Sequence, residues 1–136
     1  MEKSLKLLFS RDDFYHQRGY WVLARTFSDA GIEVILGGIQ TPSEMVTTAL
    51  QEDVDIIGSR IMQGDPKIFI SLLFDKMKEM KIEDIPVIVG GIVPKEDEKK
   101  IKMLGVKAVL HPLTPLDSIT DQVKSIGCNY VRKHKA

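Results

Sequence analysis

Apolar runs five or six residues long alternate with segments of helical period, and the pair recurs five times along the chain. This alternation leaves few folds open. Residues 5–9 (LKLLF), 33–38 (EVILGG), 55–59 (DIIGS), 86–91 (PVIVGG) and 106–111 (VKAVLH) read as strands. Each is largely apolar rather than alternating, as strands are when helices cover both faces of their sheet. Between them the period changes. Tyr20, Trp21, Leu23, Ala24 and Phe27 fall on one helical face within residues 17–30, and Gly31 supplies a stop. Residues 41–54 read as a second helix, with Ser43 as a cap or first-turn residue. Residues 65–80 form a third, with Asp65 as cap and Pro66 at its first position. Residues 94–104, ended by Gly105, and 115–126 complete the set.

Strand–helix units joined by right-handed crossovers close into a parallel sheet with helices on both sides. The expected fold is α/β: a doubly wound, five-stranded, flavodoxin-like (Rossmann-like) three-layer sandwich with strand order 2-1-3-4-5. Such sheets bind ligands beyond the carboxyl ends of their strands, near the switch between strands 1 and 3. The 136 residues suit one domain, 1–136, with a core over about 5–126 and a basic C-terminal tail over 127–136, whose last five residues, 132–136, read as frayed and solvated.

Charge narrows the partners. Lysine plus arginine and aspartate plus glutamate stand at 19 each, so neither nucleic acid nor an anionic membrane is expected. Cys128 is the only cysteine, which excludes an internal disulfide and fits a reducing cytoplasm. No His or Asp lies near it in sequence to make it a nucleophile. The first residues hold too short an apolar stretch for a signal peptide, and no run approaches the roughly 18 apolar residues of a membrane span.

The strand ends collect small and polar residues that packing does not require. RDDFYHQRG follows strand 1, GGIQTP follows strand 2, Ser59 ends strand 3 ahead of RIMQG, Gly90 and Gly91 end strand 4, and HPLTP follows strand 5. Gly90 and Gly91 remove side chains where a backbone or a flat ligand could approach, although a tight turn alone would also explain them. Ser59 could cap its loop or bond a ligand, and a single loop histidine such as His16 is commonly just solvated.

Taken together, FYHQRG (14–19), SRI (59–61) and the Gly90–Gly91 pair resemble the DxHxxG, SxL and GG fingerprint of the cobalamin-binding domain of coenzyme B12-dependent acyl-CoA mutases. The resemblance is strongest to the small stand-alone subunit of two-component mutases, of the methylmalonyl-, isobutyryl- or 2-hydroxyisobutyryl-CoA type. QTPSE, QEDVDIIG, GGIVPKED and LGVKAVL extend it over about residues 5–126.

The resemblance implies adenosylcobalamin as cofactor, with His16 the lower axial ligand of cobalt in place of the cofactor's own base. The displaced nucleotide tail would lie in a slot lined by Ser59, Gly90 and Gly91, with Gly19 letting the first helix start close against it and Thr114 near its far end. Tyr15, Gln17 and Arg18 would lie under the corrin ring, and Leu23, Ile61, Gly64 and His111 complete the implied cofactor site. The implied chemistry is radical isomerisation. A separate large (β/α)8-barrel subunit would bind the acyl-CoA, because a barrel needs about 250 residues and this chain is too short to contain one.

Two positions depart from the pattern. Phe14 stands where the family has the acid that holds the histidine's other nitrogen. Asp12 and Asp13 have the wrong spacing for that geometry, so a backbone carbonyl or a water is the expected substitute partner. Leu113 stands where the family often has glycine. These departures keep a second reading open, a non-catalytic cobalamin carrier or sensor, or a degenerate B12 domain. Other readings fit less well. A phosphorelay receiver needs an aspartate ending strand 3 and a lysine ending strand 5, where this chain has Ser59 and His111. The acids of RDDFYHQRG would repel a flavin phosphate, and no GxGxxG is present for a dinucleotide.

Overall fold

The computed structural model describes residues 4–135. Its five strands, β1 (Lys6–Arg11), β2 (Glu33–Ile39), β3 (Ile56–Ile61), β4 (Val87–Gly91) and β5 (Ala108–Leu110), form one sheet in the order β2-β1-β3-β4-β5. Every neighbouring pair is parallel. The helices between and after them are α1 (Gln17–Asp29), α2 (Pro42–Glu52), α3 (Pro66–Glu79), α4 (Lys95–Leu104) and α5 (Leu116–His134). The expected fold and strand order are those observed.

Strand alternation splits the core into two layers. Leu7, Phe9, Ile56 and Ile88 pack with Tyr20, Ala24 and Phe27 of α1 and Ile119 and Val123 of α5. Leu8, Ile57, Val87 and Val89 pack on the opposite face with Met45, Val46 and Ala49 of α2, Ile70, Leu73 and Met77 of α3, and Ile101 of α4. The chain therefore leaves β1 toward one face and β3 toward the other. That divergence opens the crevice at the carboxyl edge.

Helix ends follow local chemistry, with two departures from expectation. Thr41, not Ser43, caps α2: its hydroxyl accepts the Glu44 amide at 3.2 Å, and the Glu44 carboxylate accepts the Thr41 amide at 2.9 Å. Pro42 takes the first helical position, where its missing N–H costs nothing. Asp65 caps α3 as its sequence suggests, accepting from Lys67 at 2.9 Å. The second departure is α5, which continues to His134 rather than ending at residue 126 ahead of a frayed end over 132–136. Tyr130 packs against the core, and the Lys135 ammonium reaches Asp55 at 2.7 Å. These contacts hold the basic segment down. Among the described residues no helix is long and apolar enough to cross a membrane.

Candidate functional site

The β1–α1 loop begins at Asp12 and ends at His16, the cap residue of α1. Asp12 turns toward the neighbouring β3–α3 loop. Its carboxylate accepts the amides of Met62 at 2.8 Å, Gln63 at 3.1 Å and Gly64 at 2.7 Å. Charge-assisted bonds of this kind tie the two diverging loops together and fix the width of the crevice between them.

Asp13 is buried, and its Oδ2 is hydrogen-bonded to Nδ1 of His16. An ionised carboxylate can only accept, so Nδ1 is the donor, and in the neutral imidazole Nε2 keeps its lone pair. The His16 side chain is 54% exposed and that of Asp13 2% exposed, so a buried acid aims an accessible imidazole. This arrangement corrects the expected backbone or water partner: the acid at spacing three does the work. Phe14 is 67% exposed, so its side chain faces solvent and leaves the place beneath the imidazole to Asp13.

Tyr15, Gln17 and Arg18 are exposed beside His16 at the start of α1, and Gly19 follows half-buried. The space over Gly19 holds the Arg60 guanidinium, which a Cβ at that position would strike. Arg60 Nη1 also donates to the His16 carbonyl at 2.7 Å. Burial pushes the Arg60 pKa below its ordinary value, the Asp13 and Asp12 charges oppose that shift, and Arg11 adds to it. On β1 the Arg11 guanidinium lies 4.9 Å from the centre of the Tyr20 ring. The Tyr20 hydroxyl in turn donates to the Phe9 carbonyl at 2.7 Å.

The remaining expected residues divide between the two faces. Ser59 and Ile61 alternate with Arg60, so they leave β3 toward α2–α4 while Arg60 leaves toward α1. Ile61 is core, whereas Ser59 is buried with a hydroxyl that has no protein partner. Gly90 lies beside Arg60 in register, and a Cβ there would meet only the Leu110 carbonyl, at 3.8 Å. Gly91 has φ +107°, and a side chain would run into the Ile61 backbone, so its first role is the tight exit from β4. Leu23 packs on the α1/α5 core. The Gly64 amide is held by Asp12. His111 Nε2 is 2.6 Å from Glu98, whose pKa is held below the ordinary carboxylate value first by Lys102 and then by His111, against the opposing effect of burial. Thr114 is half-buried in the loop after β5, next to Leu113, which is fully exposed at φ +70°.

A single accessible imidazole backed by a buried acid, above a crevice with unpartnered buried donors and missing side chains, suits a ligand whose metal needs one protein nitrogen. Among the described residues no cluster of three or more His, Cys, Asp or Glu side chains could cage a metal ion unaided. A metal carried inside a macrocycle needs only one such side chain. The chain matches the B12 binding domain over residues 6–112.

The chain belongs to the B12-binding domain family.

Relatives at the family level come in two sizes. The 2-hydroxyisobutanoyl-CoA mutase small subunit of Aquincola tertiaricarbonis is 41% identical over 112 residues, covering 82% of each chain. Methylmalonyl-CoA mutase of Escherichia coli is 35% identical over 114 residues, which is 82% of this chain but 16% of that one. Ethylmalonyl-CoA mutase of Methylorubrum extorquens is 35% identical over 98 residues, 71% of this chain and 14% of that one. Among solved structures, a CheY-like response regulator receiver domain protein from Methanospirillum hungatei aligns at TM-score 0.71 with 16% identity, covering 96% of this chain and 99% of that one. The Francisella response regulator 1452 receiver domain aligns at 0.71 with 20% identity, covering 93% and 98%. These last two share the fold only. A receiver's acid pair is imitated by Asp12 and Asp13, but here one binds a loop and the other a histidine.

The B12-binding domain fits the crevice on structural grounds. Two Arg11 nitrogens are buried without partners, Gly90 has open space before it, and what covers Gly19 is the far end of a flexible side chain rather than backbone. Arg11, Asp13 and Arg60 were absent from the residues expected from sequence. Asp13 carried a signal, an acid close before the histidine. A charged residue ending the otherwise apolar β1 is the corresponding signal for Arg11.

Proposed function

We propose that the chain is the cobalamin-binding small subunit of an acyl-CoA mutase, working with a separate large subunit that has a (β/α)8 barrel and binds the acyl-CoA ester. The observation that carries this reading is the Asp13–His16 pair at the head of α1. It supplies one oriented, proton-free Nε2 to an axial position, and its carboxylate partner raises the imidazole's basicity. The 2-hydroxyisobutanoyl-CoA mutase small subunit of Aquincola tertiaricarbonis, 82% of which is covered at 41% identity, supports the two-component reading.

In this reading His16 would hold cobalt, with Tyr15, Gln17 and Arg18 beside the corrin. The nucleotide tail would enter between the β1–α1 loop and the sheet, with Gly19, Gly64, Gly90 and Gly91 leaving room and Leu23, His111 and Thr114 at its bounds. Ser59 and Ile61 leave β3 toward α2–α4 and stand outside this slot. Bound adenosylcobalamin supplies radical carbon-skeleton rearrangement, and the protein contributes placement and exclusion of water. The exposed Phe14, Tyr15, Ile92 and Leu113 rim the same edge and are available to the corrin and the large subunit. A reducing compartment such as the cytoplasm fits the exposed free thiol of Cys128.

Titrating the protein into cobalamin and recording the visible spectrum tests the axial assignment. Conversion to a histidine-ligated spectrum with the nucleotide base displaced is expected, and persistence of the base-on spectrum at saturation overturns it. Assay of the loaded protein with candidate large subunits against several CoA esters tests the mutase. Tight binding without turnover in any pairing would favour a carrier.

A further inference from the structure

Arg11 and Arg60 are Cα partners in register on β1 and β3, so their side chains leave the same sheet face. Both lie at the carboxyl end of that face, against α1. Arg11 is 9% exposed, and its Nε and Nη1 have no hydrogen-bond partner. The Tyr20 ring satisfies the flat face of the guanidinium but none of its N–H groups. Arg60 covers Gly19 and touches only a carbonyl, that of His16. Among the described residues neither guanidinium makes an ion pair. The nearby acids are hydrogen-bonded elsewhere, Asp12 with three loop amides and Asp13 with His16, so they act on the arginines only through charge. Two neighbouring like charges, one of them buried with idle donors, carry a desolvation cost that no hydrogen bond to the Arg11 Nε and Nη1 offsets. Gly90, in register with Arg60 on β4, leaves the adjoining space free of side chain.

We propose that Arg11 and Arg60 form an anion site that takes a phosphodiester, that of the nucleotide tail, with the Arg60 side chain swinging off Gly19 to admit it. The assignment rests on the cobalamin reading above. Guanidinium groups fit this task because their planar donor forks match phosphate oxygens, while the corrin amides are neutral. Arg60 then does two things. Without ligand it covers the Gly19 hollow and ties down the His16 carbonyl, and with ligand its charge is neutralised by the tail. Release of that carbonyl accompanies tail entry, so the arginine couples the slot to the loop that carries the axial histidine.

Three corrinoids separate the possibilities: cobalamin, cobinamide phosphate (phosphate but no nucleoside) and cobinamide (neither). Affinities are read by absorption titration on wild type, Arg60→Gln and Arg11→Met. Wild type is expected to prefer cobinamide phosphate over cobinamide by about 10-fold or more, the scale of one charge-assisted hydrogen bond. Arg60→Gln should lose most of that preference and weaken cobalamin by a similar factor while leaving cobinamide unchanged. Arg11→Met removes a buried unpaired charge, so it should fold at least as well as wild type by denaturant titration and show the same loss. Arg60→Gln retains the test if Arg11→Met does not fold, because Arg60 is only partly buried. Unchanged discrimination in Arg60→Gln, or tighter cobalamin binding, overturns the anion site and leaves Arg60 a mere obstruction. Wild type binding all three corrinoids alike also overturns the anion site while the cobalamin reading stands. Wild type binding none of them overturns both.

Discussion

At the amino edge of the sheet Asp55 is buried and fully used: one oxygen accepts the Lys6 amide at 2.8 Å and the other the Lys135 ammonium at 2.7 Å. At the carboxyl edge, Arg11 Nε and Nη1, Asp13 Oδ1 and Ser59 Oγ are buried without any partner. Both edges bury polar groups, and only one leaves them unpaid. Buried polar atoms are nearly always satisfied in folded proteins, so an edge where several are not is one whose partner comes from outside the chain. The amino edge uses polarity to close the fold, pinning the end of α5 to the start of β3. The carboxyl edge withholds it for a ligand.

The comparison can be broken most directly at His16. His16→Ala should abolish the histidine-ligated cobalamin spectrum at saturation and cost about 1–3 kcal/mol in denaturant unfolding, because it strands the buried Asp13 carboxylate. A surviving spectrum would place the ligand elsewhere. Asp13→Asn should weaken cobalamin binding about 10–100-fold, the usual effect of losing an acid behind a metal-bound histidine. Adding Phe14→Asp to that variant should not restore affinity, since side chain 14 faces solvent. Recovery would mean that the loop can exchange one acid for the other.

Asp55→Ala is the converse test at the amino edge. It should cost about 1–3 kcal/mol in denaturant unfolding by stranding the Lys6 amide, with cobalamin affinity unchanged. Its pH signature follows from Lys135. Burial opposes that ammonium's charge, but hydrogen bonding and attraction from Asp55 and then Asp53 outweigh it and raise the pKa. A raised lysine contributes stability fully below its unfolded value of about 10.4, and the contribution is lost as pH rises through the folded value. The difference between wild type and Asp55→Ala should therefore be full at neutral pH and narrow only in strong alkali, where the part due to the Lys6 amide remains. Ser59→Ala is the subtlest test. Stability should stay within about 0.5 kcal/mol or rise, because no protein hydrogen bond is lost, and cobalamin affinity should stay unchanged, because the side chain leaves β3 away from α1. A clear loss of stability would give Ser59 a structural role and weaken the contrast between the edges.

Much of this was legible in the sequence. Short apolar runs such as EVIL and PVIV, separated by helical periods with Asp65 and Gly105 as stops, carry the parallel sandwich and its order in their own periodicity. The order HxxG, Ser59, Gly90–Gly91 pointed to the carboxyl edge, where the candidate site is proposed. The tail after residue 126 was harder to read, because its helix is fixed by Tyr130 and Lys135 meeting residues far back in the chain.

What the sequence determined by itself was local: which segments are strands and helices, where they stop, and which loop carries the imidazole. These follow from side-chain periodicity and capping chemistry, which act within a few residues. What only the tertiary structure decided was pairing. Asp13 rather than a backbone carbonyl or water holds His16, Arg11 lies beside Arg60 and Arg60 over Gly19. Loop curvature and strand register set those contacts, and neither can be read from spacing along the chain, because register brings together residues that lie 49 positions apart in the case of the two arginines.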